Sequence, residues 1–297
     1  MLPLTQNSGR KLKNMVRVLV VFHLYYEDQL EYFLSKMKNI SGCVWDLLVT
    51  GPELNQSSRT RILEFKPDAS FLVTSNVGYD VWPFIEAVKK TDLSRYDFIM
   101  KLHTKNSNQE VSLVNGLRMK GFRWRDMLVE ALIGSPSRFV KTLGMFDDPS
   151  IGIVFCSSFY KNVSAGLYED LKPLEEELDR LGIDSGDLRF CAGTMFLART
   201  SPYRILQDAQ IGENMFSAGL THGKGSMAHI YERILTILVA SAGYRIGEIS
   251  VDGGRESFVK VHKMLSPVLS WIFSLSRKGE ESHKYLTVFG MDFKIAD

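Results

Sequence analysis

Residues 71–107 read FLVTSNVGYDVWPFIEAVKKTDLSRYDFIMKLHTKNS, and their pattern decides the fold. Phe71–Val73 is a short apolar run that reads as a strand. A polar turn with Asn76, Gly78 and Asp80 follows, and Pro83 stands where a helix begins, a place that tolerates its missing N–H. Phe84, Ile85 and Val88 recur at helical spacing to near Leu93. DFIMKL (Asp97–Leu102) is the next buried strand, and it opens onto His103, Thr104, Lys105, Asn106 and Ser107. Ligands of α/β sheets sit beyond the carboxyl ends of the strands. SNVGYD and HTKNS fall at two such ends, about one βα unit apart, and define a candidate site.

The flanking sequence extends the same alternation. Val16–Phe22 is a nearly continuous β-branched run, as in a strand covered on both faces, with His23, Tyr25 and Tyr26 at its carboxyl end. Leu30, Phe33, Leu34 and Met37 mark a helix, WDLLVT (Trp45–Thr50) a second strand, and residues 53–66 a polar helix. Further on, residues 111–132 read as a helix with Trp124 on its apolar face, and Ser135-Pro136 opens another. Ile151–Phe155 is a strand, KPLEEELDRLGI an exposed helix, and FCAGTMFL (Phe190–Leu197) an apolar strand whose Gly193 suggests a bulge or close backbone approach. A Gly-rich loop over 211–226 leads into a helix from Met227 to Ala242, then a strand near Tyr244–Val251. The expected fold is α/β, a mostly parallel Rossmann-type central sheet flanked by helices. The expected domains are a lead-in over 1–15, a main domain over 16–252 and an appendage over 253–297.

Composition narrows the function. A net charge of +2 over 297 residues, with no basic run interleaved with aromatics, gives no case for a nucleic-acid partner. Cys43, Cys156 and Cys191 are few and far apart, which favours buried thiols in a reducing compartment over a disulfide framework. No stretch is apolar enough to span a bilayer, and VRVLVVF is too short for a signal-peptide core, so a cytoplasmic location is expected. KVHKMLSPVLSWIFSLSRK (260–278) has basic flanks around an apolar centre. It reads either as a peripheral contact with the inner face of the membrane or as an amphipathic helix packed on the domain, with Pro267 interrupting it. There is no GxGxxG after the first strand, and no GxxxxGK[ST], GxSxG or CxxC, which removes the common dinucleotide, P-loop, hydrolase and thioredoxin chemistries.

Four groups could carry chemistry. Lys105, with His103, can neutralise a phosphate from a strand end, or it can be, like Lys101, a solvated loop lysine. Asp80 can accept hydrogen bonds from a ribose or sugar hydroxyl, or cap the helix that follows; spacing alone favours the cap. Arg118, Arg123 and Arg125 beside Trp124 can clamp a phosphate, although a solvated helix face is the usual explanation. His229, Glu232 and Arg233 share a helix face, which suits a general base or, equally, a surface ion pair. H-x-x-E is half of a metal site, and no HExxH partner motif accompanies it.

Taken in order, HLYYEDQLEYFLSKMKNI, SNVGYDVWPFIEAV, YDFIMKLHTKNS, WRDMLVEALIGSPSRFVKTLGMFDDPSIGIV, FCAGTMFLAR and AHIYERIL resemble the rhamnan synthesis protein F family of bacterial glycosyltransferases, over about residues 18–250. The resemblance implies a GT-A-like fold and transfer of a sugar, rhamnose or similar, from a nucleotide-diphosphate donor to a growing surface polysaccharide such as capsule, O-antigen or rhamnan. It implies a polysaccharide or polyprenyl-linked acceptor. His23, Tyr25, Asn76, Gly78, Asp80, His103, Thr104 and Lys105 then fall on the donor side. Ala192, Gly193 and Thr194, with Arg125, His229 and Arg233, fall on the acceptor or phosphate side. Glu232 occupies the place of the base of an inverting displacement, and Asp187 is the alternative. Where many GT-A enzymes carry Asp-x-Asp, this chain reads Leu-His-Thr-Lys, so no metal ligand is assigned and no cofactor beyond the nucleotide sugar; Mg or Mn is disfavoured, and Lys105 or His103 is left to neutralise the diphosphate. Two other classes remain open: a non-catalytic nucleotide-sugar or glycan-binding module of an assembly complex, and a metal-dependent nucleotide-sugar hydrolase.

Overall fold

The computed structural model describes residues 15–108, 110–112, 118–163, 168–184, 186, 188–217, 225–251, 273–278, 283–288 and 291–296. The chain opens with β1 (Arg17–His23), α1 (Leu30–Met37), β2 (Val44–Gly51), α2 (Gln56–Phe65), β3 (Ser70–Val73), α3 (Val81–Lys90) and β4 (Phe98–His103). Strands β1 and β4 are buried along almost their whole length, which is why both read as unbroken apolar runs. Leu30, Phe33, Leu34 and Met37 of α1 are buried, so the helical period puts one stripe against the sheet.

Then come β5 (Glu110–Ser112), β6 (Arg118–Lys120), α4 (Gly121–Ile133), α5 (Pro136–Gly144), β7 (Ile151–Cys156), β8 (Tyr160–Asn162) and α6 (Tyr168–Leu181). The segment expected as one helix over 111–132 is instead a small antiparallel β5–β6 pair followed by α4. The side chain of Ser135 caps α5, with Pro136 in its first turn as the sequence suggests. Helix α6 is less exposed than its charge implies, because Asp170, Leu174, Glu177 and Leu178 are buried.

The last described elements are β9 (Arg189–Cys191), β10 (Phe196–Arg199), α7 (Arg204–Asp208), α8 (Glu213–Ser217), α9 (Met227–Ser241), β11 (Arg245–Ile249) and an antiparallel meander of β12 (Phe273–Lys278), β13 (His283–Val288) and β14 (Met291–Ala296). FCAGTMFL is therefore not one strand. It breaks at Gly193 (φ 89°) and Thr194 (φ 44°) into β9, which pairs with β8, and β10, which enters the main sheet. Of the segment 260–278, residues 260–272 lie outside the described residues, and Phe273–Lys278 is a strand rather than a helix. Residues 1–14 of the expected lead-in also lie outside them. No helix among the described residues is long and apolar enough to cross a membrane.

The main sheet has seven strands in the order β11-β7-β10-β4-β1-β2-β3, all parallel except β10. The expected α/β architecture, a mostly parallel central sheet flanked by helices, is what the chain forms. Register aligns Thr50, His23 and His103 across the carboxyl ends of β2, β1 and β4. Because β10 runs antiparallel, its first residue Phe196 pairs with Lys101. The turn before β10 is thus delivered to the same edge as the carboxyl ends of β1 and β4.

Helix α9 is buried nearly all round, from Ile230 and Tyr231 to Leu238 and Val239, which suits a core helix rather than a surface one. Its far end presses on the sheet at Gly152, where a Cβ would lie 2.4 Å from the Cβ of Tyr244 and 2.5 Å from Cγ1 of Val239. Gly152→Ala is expected to cost about 1–3 kcal/mol by overpacking. Chemical denaturation checks this, and an unchanged midpoint would show that α9 and β7 are not in contact there.

Candidate functional site

The carboxyl ends of β1 and β4, the loop before α3, the turn between β9 and β10 and the first turns of α9 enclose a cleft of about 810 Å³. β1 supplies His23 and, just beyond it, Tyr25; the loop supplies Asn76, Gly78 and Asp80. β4 supplies His103, followed by Thr104 and Lys105, and the turn supplies Ala192, Gly193 and Thr194. His229, Glu232 and Arg233 enter from α9. Two expected residues are not among them. Arg125 lies over the Tyr32 ring at 3.8 Å and pairs with Asp126 at 2.8 Å, so its charge is satisfied away from the cleft. Asp187 lies outside the described residues.

The floor of the cleft is a buried charge cluster. Lys101, for which the sequence left open a solvated lysine, is only 1% exposed and projects from the middle of β4. Its ammonium donates to Asp80 Oδ2 and, at 2.8 Å, to Thr194 Oγ1, which itself donates to Asp80 Oδ2 at 2.8 Å. Asp80 stands at the N-cap position of α3 but makes no side-chain cap bond; its carboxylate turns inward instead. Burial pushes that carboxyl up, but His103, Lys101 and Lys105 outweigh burial and hold it well below the usual carboxylate range. His103 sits on the same strand face as Lys101, two residues on. Its Nε2 donates to Gly193 O at 2.8 Å, while Nδ1 lies 3.1 Å from Thr104 O and 3.4 Å from Asp80 Oδ1. Burial, opposed by Asp80 but reinforced by both lysines, lowers the ring's pKa well below its ordinary value.

The β4 loop is pinned by groups the sequence did not single out. Buried Gln29 donates to Lys105 O at 2.5 Å and accepts from Lys105 N at 3.4 Å. Thr104 Oγ1 accepts from the backbone N–H groups of Tyr25 and Tyr26, each at 3.1 Å, so it serves the loop while lining the cleft. Lys105 Nζ then lies over the Trp124 ring, 3.8 Å from its centroid. Burial lowers the Lys105 pKa to about 8, against the opposing charges of Asp80 and Glu232.

On the opposite wall, α9 grips the β9–β10 turn by two side chains one turn apart. Cys191 N donates to Thr236 Oγ1 at 3.0 Å, and Gly193 N donates to Glu232 Oε1 at 2.8 Å. Four helical residues rise about 6 Å and two extended residues span about 6.6 Å, so the two periods match. Arg233 Nη1 donates to Glu232 Oε2 at 2.6 Å, and Nη2 to the fully buried Asp170 at 2.8 Å. The Glu232–Arg233 pair is thus half-buried and backed by a buried one, not the surface pair that sequence allows. His229 Nδ1 is buried without a partner, as are Trp124 Nε1 and Arg233 Nε.

Sequence reasoning missed Lys101, Gln29, Lys161 and Asp170. A lysine inside the apolar run FIMKLH was a legible signal of a buried charge. Nothing local marks Lys161 of β8 or Asp170 of α6, which arrive through tertiary packing.

A divalent cation needs several hard oxygen ligands not otherwise engaged. Asp80 and Glu232 are the carboxylates that line the cleft among the described residues, and each is held by a cation and by a hydrogen-bond donor. No three His, Cys, Asp or Glu side chains among the described residues converge to hold a metal ion. The donor set does not fit a bridging metal.

Burial pushes His23, whose Nδ1 is 3.1 Å from Thr50 Oγ1, down from 6.5 to about 4; Asp80 opposes this and Lys101 adds to it. The unfolded chain therefore takes up a proton that the folded chain excludes. The His23 contribution is complete above about pH 6.5 and is lost as pH falls toward 4, a drop of about 3 kcal/mol. Urea midpoints at pH 7 and pH 4.5 are expected to converge in His23→Gln relative to the native chain. Parallel pH dependence in both would remove His23 as the cause.

The protein WxcX of Xanthomonas campestris pv. campestris (strain B100) is 26% identical over 231 residues, which is 76% of this chain and 32% of WxcX. The chain thus spans about a third of the length of that curated relative. Among solved structures, a mannosyltransferase from Pyrobaculum calidifontis in complex with GDP-Man and Mn2+ is 13% identical, covers 80% of this chain and 55% of its own, and has a TM-score of 0.43. TarS of S. aureus is 12% identical, with 84% and 64% covered and a TM-score of 0.42. The family model for Rhamnan synthesis protein F matches residues 2–244, which take in every described wall of the cleft, and the chain belongs to that family.

Proposed function

We propose that the chain is a glycosyltransferase that moves a sugar from a nucleotide-diphosphate donor to a surface-polysaccharide acceptor with inversion. The observation that carries this reading is the meeting of unpaired cationic donors and a fixed carboxylate across one cleft at the carboxyl ends of parallel strands. Lys105 stands on one side, and Glu232, locked by Gly193 N–H and Arg233, on the other. Membership of the rhamnan synthesis protein F family supports it, as does the GT-A-like order of the segments.

In this reading the acceptor hydroxyl oxygen attacks the anomeric carbon and forms the new glycosidic bond. The bond from that carbon to the donor phosphate oxygen breaks, and its electron pair leaves with the nucleoside diphosphate. The hydroxyl proton passes to Glu232. Each carboxylate oxygen has a second lone-pair site, so the bonds from Gly193 and Arg233 orient Glu232 without blocking it. His229 lines the cleft one turn before Glu232 and in this reading contacts the acceptor. Rhamnose fits the family name.

Thermal-shift and transfer assays with dTDP-rhamnose, UDP-glucose and GDP-mannose, using polyprenyl-linked glycan acceptors, test the reading. One donor is expected to raise Tm by binding the folded state alone. Glu232→Gln is expected to keep that shift and to lower turnover by about 10²–10⁴-fold. Donor binding with no transfer by either protein would instead favour a binding module.

A further inference from the structure

Among the described residues, the charges in the cleft do not balance. Asp80 is engaged by Lys101 and Thr194, and Glu232 by Arg233 and Gly193 N–H. Lys105 and Lys161 line the same cleft from different elements, the end of β4 and the short strand β8. Neither ammonium has a carboxylate within ion-pair distance among the described residues, and Lys105 rests on an indole face instead. Both feel the charge of Glu232, so both lie near the proposed base. A cleft lined from two elements by cations without a carboxylate partner among the described residues is built to receive an anion with several oxygens.

We propose that Lys105 and Lys161 hold the diphosphate of the nucleotide donor without a divalent cation. This rests on the transferase reading and names how the site neutralises its leaving group. A metal at the same place would compete with Lys101 for Asp80, and the buried ammonium would then keep only the Thr194 hydroxyl. Lysine ammoniums act as point charges toward phosphate oxygens, and the departing nucleoside diphosphate gains negative charge as the glycosidic bond breaks. The cations are therefore most useful at that moment. Lys105, displaced from the indole toward the ligand, couples binding to the Trp124 environment.

The test is calorimetric titration of the full chain with UDP, dTDP, GDP and inorganic pyrophosphate, each in EDTA and in manganese chloride. At least one nucleoside diphosphate is expected to bind with a Kd that agrees within about twofold in the two buffers, with pyrophosphate competing. Lys105→Met and Lys161→Met are each expected to weaken binding by about tenfold or more, and Lys105→Arg and Lys161→Arg to restore most of it. The ligand-induced change in tryptophan fluorescence is expected to vanish in Trp124→Phe. Binding that appears only with manganese overturns the proposal and leaves the transferase reading standing. Binding in EDTA that is indifferent to both lysines overturns the assignment of the cations. No nucleoside diphosphate bound in either buffer overturns the proposal and the transferase reading together.

Discussion

A lysine in the middle of a central strand is the constraint around which the cleft is arranged. Lys101 cannot reach water, so its ammonium must find partners inside, and removing one from such a pair costs about 3–5 kcal/mol. Its partners come from the start of α3 and from the turn before β10, segments 21 and 93 residues away. The bond to Asp80 takes that residue from helix capping and turns its carboxylate under the cleft. The bond to Thr194 fixes a β-branched residue at positive φ, a conformation that costs about 1–3 kcal/mol and persists only where its surroundings over-determine it. Here they do: hydroxyl, ammonium and carboxylate form a closed triangle. Gly193 beside it has no room for a Cβ, which would lie 2.8 Å from the Trp124 ring.

The antiparallel strand β10 gives that triangle its purpose. In a wholly parallel sheet the strand beside β4 would present its carboxyl end at the cleft edge, and its leading turn would lie at the opposite edge. Reversal brings the Ala192–Thr194 turn next to His103, so one small region receives residues from the parallel half and from the later half of the chain. Helix α9 fixes the turn from the other side through Thr236 and Glu232, and Asp170 of α6 anchors Arg233 behind it. Glu232 thus has a structural task as well as the proposed chemical one.

The sequence made the parallel half readable because local signals agreed there. Apolar runs of strand length, helical spacing in α1 and α3, and polar clusters at strand ends all point to the same arrangement, and Asn76, Asp80, His103 and Lys105 do meet in the cleft. Legibility failed where the deciding contact was distant. FCAGTMFL has the composition of one strand, and only the partners of Gly193 and Thr194 divide it. Asp80 looks like a cap because capping is a local explanation, whereas Lys101 competes for its carboxylate from 21 residues away. Arg125 looked available for phosphate until Tyr32 and Asp126 were placed beside it.

The same distinction governs how charge at the site should be read. A cleft residue counts toward ligand binding only after its internal bonds are subtracted. Counted from sequence, the HTKNS loop and the HxxER helix turn present two histidines, a carboxylate, a lysine and an arginine. After subtraction, His103 is occupied by Gly193 and Arg233 is shared between Glu232 and Asp170. Lys105 remains, joined by Lys161 from a strand that no motif marked, and two carboxylates that would otherwise suggest a metal are neutralised from within. The cleft is left with cationic donors facing inward, and an anionic ligand is the chemistry that completes it.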